Sequence, residues 1–295
     1  MSETGLVVAR FRRHAHVEGA DGERYLCRLQ GRRLRPVAGD RVSWRRETDG
    51  SATVQAVLPR SSALQRIDAR GRPEIIAAHL SQLVIVLAPR PAPDWFLLDR
   101  YLAAGVLADL NNTIVFNKVD LTDTLPSGLR LYENLGYPVL AVSAHEGTGL
   151  RPLQAAMAGE RSVMIGQSGV GKSSLINVLM GDALQKVGAL SEKALQGRHT
   201  TTTAVLHRLP GDGELIDSPG VRDYAPFIAH TREVQRGFLE LCLRSPECRF
   251  DNCSHLVEPG CAVRTAVTEG EISPLRYESY RRLYELTEAF QARRG

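Results

Sequence analysis

"VFNKVDL", Val115 to Leu121, ends an apolar run with the tetrapeptide Asn117, Lys118, Val119, Asp120. In an open α/β sheet ligands bind outside the carboxyl ends of the strands, which is where this tetrapeptide falls. An aspartate there can accept from both N1–H and the 2-amino N–H of guanine. Adenine offers no such pair of donors, so Asp120 is the residue that selects the base. Lys118 can lay its aliphatic stem over the ring. The tetrapeptide alone is a weak signal, and its weight depends on what surrounds it.

Downstream, "GQSGVGKSS" runs from Gly166 to Ser174 after one apolar stretch and before another, "LINVLM". It matches G-x-x-x-x-G-K-[ST] in full. Gly166, Gly169 and Gly171 free the backbone to curl, so that the N–H groups of Gln167, Ser168, Gly169, Val170 and Gly171 can cradle a β-phosphate. The helix that opens at Ser173 and Ser174 adds its positive end. Lys172 would reach the β- and γ-phosphates, and the Ser173 hydroxyl would face Mg²⁺. "SAHEG" places Ser143 and Ala144 at another strand end, where a backbone N–H can meet the guanine O6. "DSPG", Asp217 to Gly220, fits the remaining phosphate motif, with Asp217 toward Mg²⁺ through water and Gly220 toward the γ-phosphate. Four motifs on one edge of one sheet define a GTP site.

Their order is unusual. An ordinary GTPase begins with the phosphate loop and ends with the guanine motifs. Here the guanine motifs come first and the DSPG motif last, which is a circular permutation. Such rewiring is tolerated where the original termini lie close together.

At 295 residues the chain has length for two or three domains. Hydrophobic residues make up 43% and charged residues 24%, ordinary for a globular protein with a real core. Net charge is only +4, but residues 1–70 hold fourteen Arg, no Lys and eight acidic residues, a local +6. That asymmetry points to a polyanionic partner for the N-terminal part. No apolar run approaches the ~18 residues a membrane span needs. The start lacks a basic segment followed by an apolar stretch and a cleavage site, so a cytoplasmic protein is expected. Five Cys, four of them in the last third, favour reduced thiols or metal ligands over a disulfide framework.

Residues 5 to about 60 read as some five short strands, among them "GLVVARF", "ERYLCRL", "DRVSWRR" and "ATVQAVL", broken by Gly- and Asp-rich turns. A small barrel of the OB kind fits them. "RIDARGRPEII", 66–76, reads as a polar connector. Strands then alternate with helices over 82–217, as in a parallel sheet covered on both faces. From about 226 helical and Cys-bearing segments run to the end. The expected architecture is α/β: an OB-type RNA-binding barrel over 1–65, a circularly permuted P-loop GTPase domain with a parallel-rich sheet over 66–225, and a mostly helical zinc-binding domain over 226–295.

"NKVD", "GQSGVGKSS", "GRHTTT", "DSPG" and the cysteine cluster, in this order and over almost the whole chain, resemble the ribosome small-subunit-dependent GTPase A family (RsgA, also called YjeQ). The resemblance implies a GTPase stimulated by the small ribosomal subunit that acts late in its maturation, bound to rRNA. It also implies release once GTP has become GDP. A monomer is the simplest expectation for a chain docking on a much larger particle. The competing reading is an RNA-binding module that GTP merely stabilises.

"GRHTTTT", Gly197 to Thr203, lies where a GTPase keeps its first switch. Thr201 or Thr202 would bind Mg²⁺ and sense the γ-phosphate. After DSPG the position that carries a water-orienting Gln in other GTPases is Val221, which cannot do that work. By the resemblance, His199 is the candidate to orient the water; a solvent-exposed loop histidine is the alternative. Cys248, Cys253, His255 and Cys261, spaced C-x₄-C-x-H-x₅-C, suit one tetrahedral Zn²⁺ with no open position, hence a structural site. In the barrel, Arg10, Arg12, Arg13, Arg28, Arg32, Arg33, Arg35, Arg45 and Arg46 are candidate RNA contacts. His14, Tyr25 and Trp44 could supplement them, although Trp44 equally suits the core. The last helix could pack on the zinc module or touch RNA.

Overall fold

A computed structural model describes residues 2–31, 33–68, 72–181, 204–218, 228 and 230–293. Arg32, His199, Thr201, Thr202, Gly220 and Val221 lie outside the described residues.

Five strands close the N-terminal barrel: β1 (Glu3–Arg10), β2 (His14–Glu18), β3 (Arg24–Leu29), β4 (Arg41–Arg46) and β5 (Ala52–Val57). The order is β1-β2-β3-β5-β4, and β4 returns to pair with β1. The β3–β5 pairing is parallel and the others antiparallel. Alternation decides which side chains fill it: Val7, Ala15, Val17, Cys27, Val42, Trp44 and Val54 point inward and are fully buried. Trp44 is therefore core and not an RNA contact.

The segment expected as a polar connector is instead a β-hairpin, β6 (Ala63–Ile67) with β7 (Pro73–Ala78). Four of its charges are cross-strand and turn partners. Arg66 pairs with Glu74 at 2.9 Å and Arg72 with Asp68 at 3.1 Å. Leu64, Ile76 and Ala77 face the core.

Next come β8 (Gln82–Leu87), α1 (Trp95–Leu107), β9 (Asn111–Phe116), α2 (Leu129–Asn134), β10 (Val139–Ala141), α3 (Leu150–Met157), β11 (Arg161–Ile165), α4 (Lys172–Met180), β12 (Val205–Arg208) and β13 (Glu214–Asp217). The sheet order is β10-β9-β8-β11-β13-β12. Every pairing is parallel except β12–β13. "QLVIVL" of β8 is buried at every position, as a central strand covered on both faces must be. β12 also pairs with β1, so barrel and α/β sheet form one continuous sheet. Val8, Ala38, Leu64 and Ile76 share a core with Leu83, Ile85 and Ile216.

The C-terminal part is helical: α5 (Thr231–Val234), α6 (Leu239–Arg244), α7 (Ala262–Thr268) and α8 (Pro274–Ala292). Its apolar core of Val234, Phe238, Leu241, Val263 and Tyr280 takes in Ala103 of α1. None of the described helices is long and apolar enough to cross a membrane.

Candidate functional site

The phosphate loop leaves β11 at Gly166, whose φ of +147° is a conformation L side chains rarely adopt. A Cβ there would lie 2.2 Å from the Val86 carbonyl oxygen on β8. Only glycine lets the loop turn this close to the neighbouring strand. At the far end Gly171, φ +94°, leads into α4. Lys172 Nζ donates to the carbonyls of Gly166 and Gln167, both at 2.7 Å. The ammonium thus sits within the loop that an incoming phosphate would occupy.

Asn117, 1% exposed, fastens three loops together. Its Nδ2 donates to the Val170 carbonyl at 2.9 Å, and its Oδ1 accepts from Ala144 N–H at 3.2 Å. Lys118, at φ +62°, donates from Nζ to Gly169 O at 2.5 Å and Arg90 O at 3.1 Å. Its stem therefore crosses from the guanine motif to the phosphate loop. Ser143 Oγ donates to Asp120 Oδ1 at 2.5 Å and accepts from Glu146 N–H at 3.0 Å. The Asp120 carboxylate is thereby oriented before any ligand arrives. Ser168, Ser173 and Ser174 belong to the same loop and helix start, and Asp217 ends β13 beside them in the sheet order.

One contributor escaped the sequence analysis. The segment between β8 and α1 supplies the Arg90 carbonyl to Lys118, and Asp94 N–H donates to Gln167 Oε1 at 3.3 Å. Its signal was present: "APRPAPDW" follows a strand on the ligand-binding edge, and Asp94 caps α1 by accepting from Leu97 N–H.

Cys248, Cys253, His255 and Cys261 bring one ligand atom each to within 4.8 Å of one another. Cys248 Sγ and Cys261 Sγ are 3.9 Å apart, and His255 Nδ1 lies 3.5 and 3.4 Å from them. A tetrahedral ion with about 2.3 Å to sulfur and 2.0–2.1 Å to nitrogen separates sulfurs by about 3.8 Å and sulfur from nitrogen by about 3.5 Å. The four donors fit such an ion in kind, and Cys248, His255 and Cys261 stand at its spacing. Burial pushes the Cys253 thiol up to about 12, so a bound cation must displace a proton there. The ligand loop is braced from outside. Tyr277 and Tyr280 donate to the carbonyls of His255 and Ser254, both at 2.6 Å. The Glu258 carboxylate accepts from Ser254 N and Oγ and from the Leu256 and Val257 N–H groups. Burial alone would raise Glu258, but these donors hold it at about 2.

The barrel arginines divide by end. Arg45 pairs with Glu47 at 2.9 Å, and Arg46 pairs with Asp21 at 2.8 Å while lying 4.3 Å over the Tyr25 ring. Arg12, Arg13, Arg33 and Arg35 are exposed at the opposite end, where Leu29 N–H meets Arg13 O, and none forms an ion pair among the described residues.

Phosphate loop, guanine edge and DSPG strand on one sheet, in permuted order, define a circularly permuted GTPase. A model of the RsgA GTPase family matches residues 57–226. The small ribosomal subunit biogenesis GTPase RsgA of Azotobacter vinelandii is 46% identical over 95% of this chain and 84% of its own length. The protein of the same name from Ectopseudomonas mendocina is 44% identical with the same coverage. The crystal structure of YjeQ from Thermotoga maritima superposes with a TM-score of 0.75 at 30% identity, covering 97% of this chain and 99% of that one. YloQ, a circularly permuted GTPase, also gives 0.75, at 24% identity, over 98% and 96%, and shows the shared fold. The chain belongs to the RsgA GTPase family and is a hydrolase.

Proposed function

We propose that this GTPase is stimulated by the small ribosomal subunit and acts in late maturation of that subunit while bound to its rRNA, as a cytoplasmic monomer. The observation that carries the nucleotide part is Asn117, whose carboxamide ties the phosphate loop at Val170 to the guanine loop at Ala144. A site built this way holds both ends of one guanine nucleotide. The names of the relatives support the subunit assignment, and the arginines at one end of the barrel that form no ion pair among the described residues support a polyanionic partner.

In this reading the barrel over 1–65 binds RNA, 66–225 binds and hydrolyses GTP, and 226–295 is a zinc module. Asp120 accepts from the guanine donors, with Lys118 along the ring and Ser143 and Ala144 behind it. The backbone from Gly166 to Gly171 cradles the phosphates with Lys172. Ser173, Thr201 or Thr202, and Asp217 through water offer the hard oxygen donors that suit Mg²⁺, which supplies neutralising charge when bound. Gly220 meets the γ-phosphate. His199 orients the attacking water. Zn²⁺ at Cys248, Cys253, His255 and Cys261 is structural.

His199→Ala tests the checkpoint role. Hydrolysis falls whether or not GTP drives the cycle, but release from small subunits slows only if hydrolysis triggers release. Unchanged release with abolished hydrolysis would leave a GTP-stabilised RNA-binding module.

A further inference from the structure

The basic end of the barrel and the nucleotide edge of the sheet are joined by one row of paired residues. Ala9 on β1 pairs with Val205 on β12, and Val205 pairs with Asp217 on β13. The row runs from the barrel to the first residue of the DSPG motif across adjoining strands, at about 5 Å per step. Arg10 is the next residue on β1, and the turn carrying Arg12 and Arg13 follows it.

Arg10 stands apart from the other described arginines of the barrel. It is half-buried, and its Nε is buried with no hydrogen-bond partner among the described residues. No carboxylate forms an ion pair with it or with Arg35 among the described residues. Burial and the Arg35 charge lower Arg10, while Glu74 opposes them. A partly desolvated guanidinium held near a second one is in an unfavourable position until an anion arrives. The guanidinium fork matches the two free oxygens of a phosphate diester.

The joint behind Arg10 is stiff. Gly39, φ +91°, packs so closely that a Cβ there would lie 2.3 Å from Ala78 O and 3.1 Å from Ile216 Cδ1. Gly39 N–H donates to Val7 O, and its carbonyl accepts from Arg161 Nη1. Ile216 is the neighbour of Asp217 and shares a core with Val8. A shift at the end of β1 therefore reaches β13 instead of dissipating in a loose interface.

We propose that Arg10 and Arg35 form a binding site for one phosphate diester of the RNA partner, and that its occupancy acts through the row Ala9, Val205, Asp217 to raise GTP turnover. This rests on the reading of the chain as a subunit-stimulated GTPase. Most phosphate contacts add affinity alone. This one adds activation, and Arg10 and Arg35 are positioning residues acting through Asp217.

The test measures GTP turnover of the full chain against the concentration of purified small subunits. The variants are Arg10→Gln, Arg35→Gln and the double change R12Q/R13Q. Arg10→Gln and Arg35→Gln are expected to lower maximal stimulation at saturating subunit by about tenfold, a usual size for coupling between two sites. Their half-saturating concentration should move by no more than about threefold, as befits one phosphate among many. R12Q/R13Q should show the reverse, a raised half-saturating concentration and a preserved maximum. Arg35 is exposed, so Arg35→Gln reports even if Arg10→Gln misfolds. If both single variants keep the full maximum and lose only affinity, the coupling is refuted while the subunit assignment stands. If the unaltered chain shows no stimulation at all, the subunit assignment fails first and takes the coupling with it.

Discussion

Arg276 and Asp99 meet at 2.6 Å across the boundary between α8 and α1, with both side chains almost wholly buried. Glu240 of α6 takes the other side of the same guanidinium at 2.6 Å, and Tyr132 donates to Asp99 at 2.8 Å. The guanidinium also lies 4.6 Å over the Phe238 ring. This cluster fastens the cysteine-bearing module to α1, whose capping residue Asp94 touches Gln167 of the phosphate loop. A physical path thus runs from the phosphate loop to the Cys/His module through α1.

Removing one member of such a cluster strands buried charge. Arg276→Ala should cost about 3–5 kcal/mol of stability, read by denaturant unfolding. The neutralised set Arg276→Met, Asp99→Asn, Glu240→Gln should lose clearly less, because no uncompensated charge remains. Equal losses would mean that packing, not charge, dominates here.

Gly171→Ala should abolish tight GTP binding with little change in the rest of the fold. The added Cβ would lie 2.3 Å from Asn117 Nδ2, and the residue stands at φ +94°. The backbone cost alone is about 1–2 kcal/mol, and Asn117 must also release Val170. Nucleotide titration and a melting curve, taken together, separate a local lesion from a global one.

Asp120→Asn should weaken GTP by about 2–3 kcal/mol, or roughly 30- to 150-fold, because the charged acceptor of two guanine donors is gone. An amide can donate where the carboxylate only accepted, so xanthosine triphosphate, with a carbonyl in place of the 2-amino group, should gain. Competition between the two nucleotides measures the switch. Unchanged preference for GTP would remove Asp120 from base recognition.

Cys261→Ser should lower bound zinc from one ion per chain to a small fraction, by direct metal analysis. A strong chelator should destabilise the unaltered protein and leave the variant nearly unmoved. The binding energy of a structural zinc is folding energy, of order several kcal/mol even after losses to the unfolded state. Full zinc content in the variant would contradict the four-ligand site.

The nucleotide motifs were legible because each is a short local pattern whose chemistry depends on adjacent residues. Asn117 to Asp120 and Gly166 to Ser174 need only their strand and helix context to be read. The hairpin over residues 63–78 was not, because the cross-strand pairing of Arg66 with Glu74 is visible only once the register is known. Five barrel strands were expected and five are present, but the bounds of β2 went unread, because His14, His16 and Glu18 alternate there with only two small apolar residues. Arg276 looked like one more arginine on a polar helix. Its partners lie 36 and 177 residues away, so nothing local announces its burial. The ion pair of Arg46 was hidden for a related reason, since its Asp21 partner lies 25 residues away in a turn.

GTP hydrolysis by the purified chain, alone and with small subunits, large subunits or free RNA, and with ATP as the control nucleotide, tests the central claim most directly. The account predicts slow turnover alone, strong stimulation by small subunits only, and no comparable ATP turnover. Turnover that no subunit stimulates, or that any RNA stimulates equally, would contradict it.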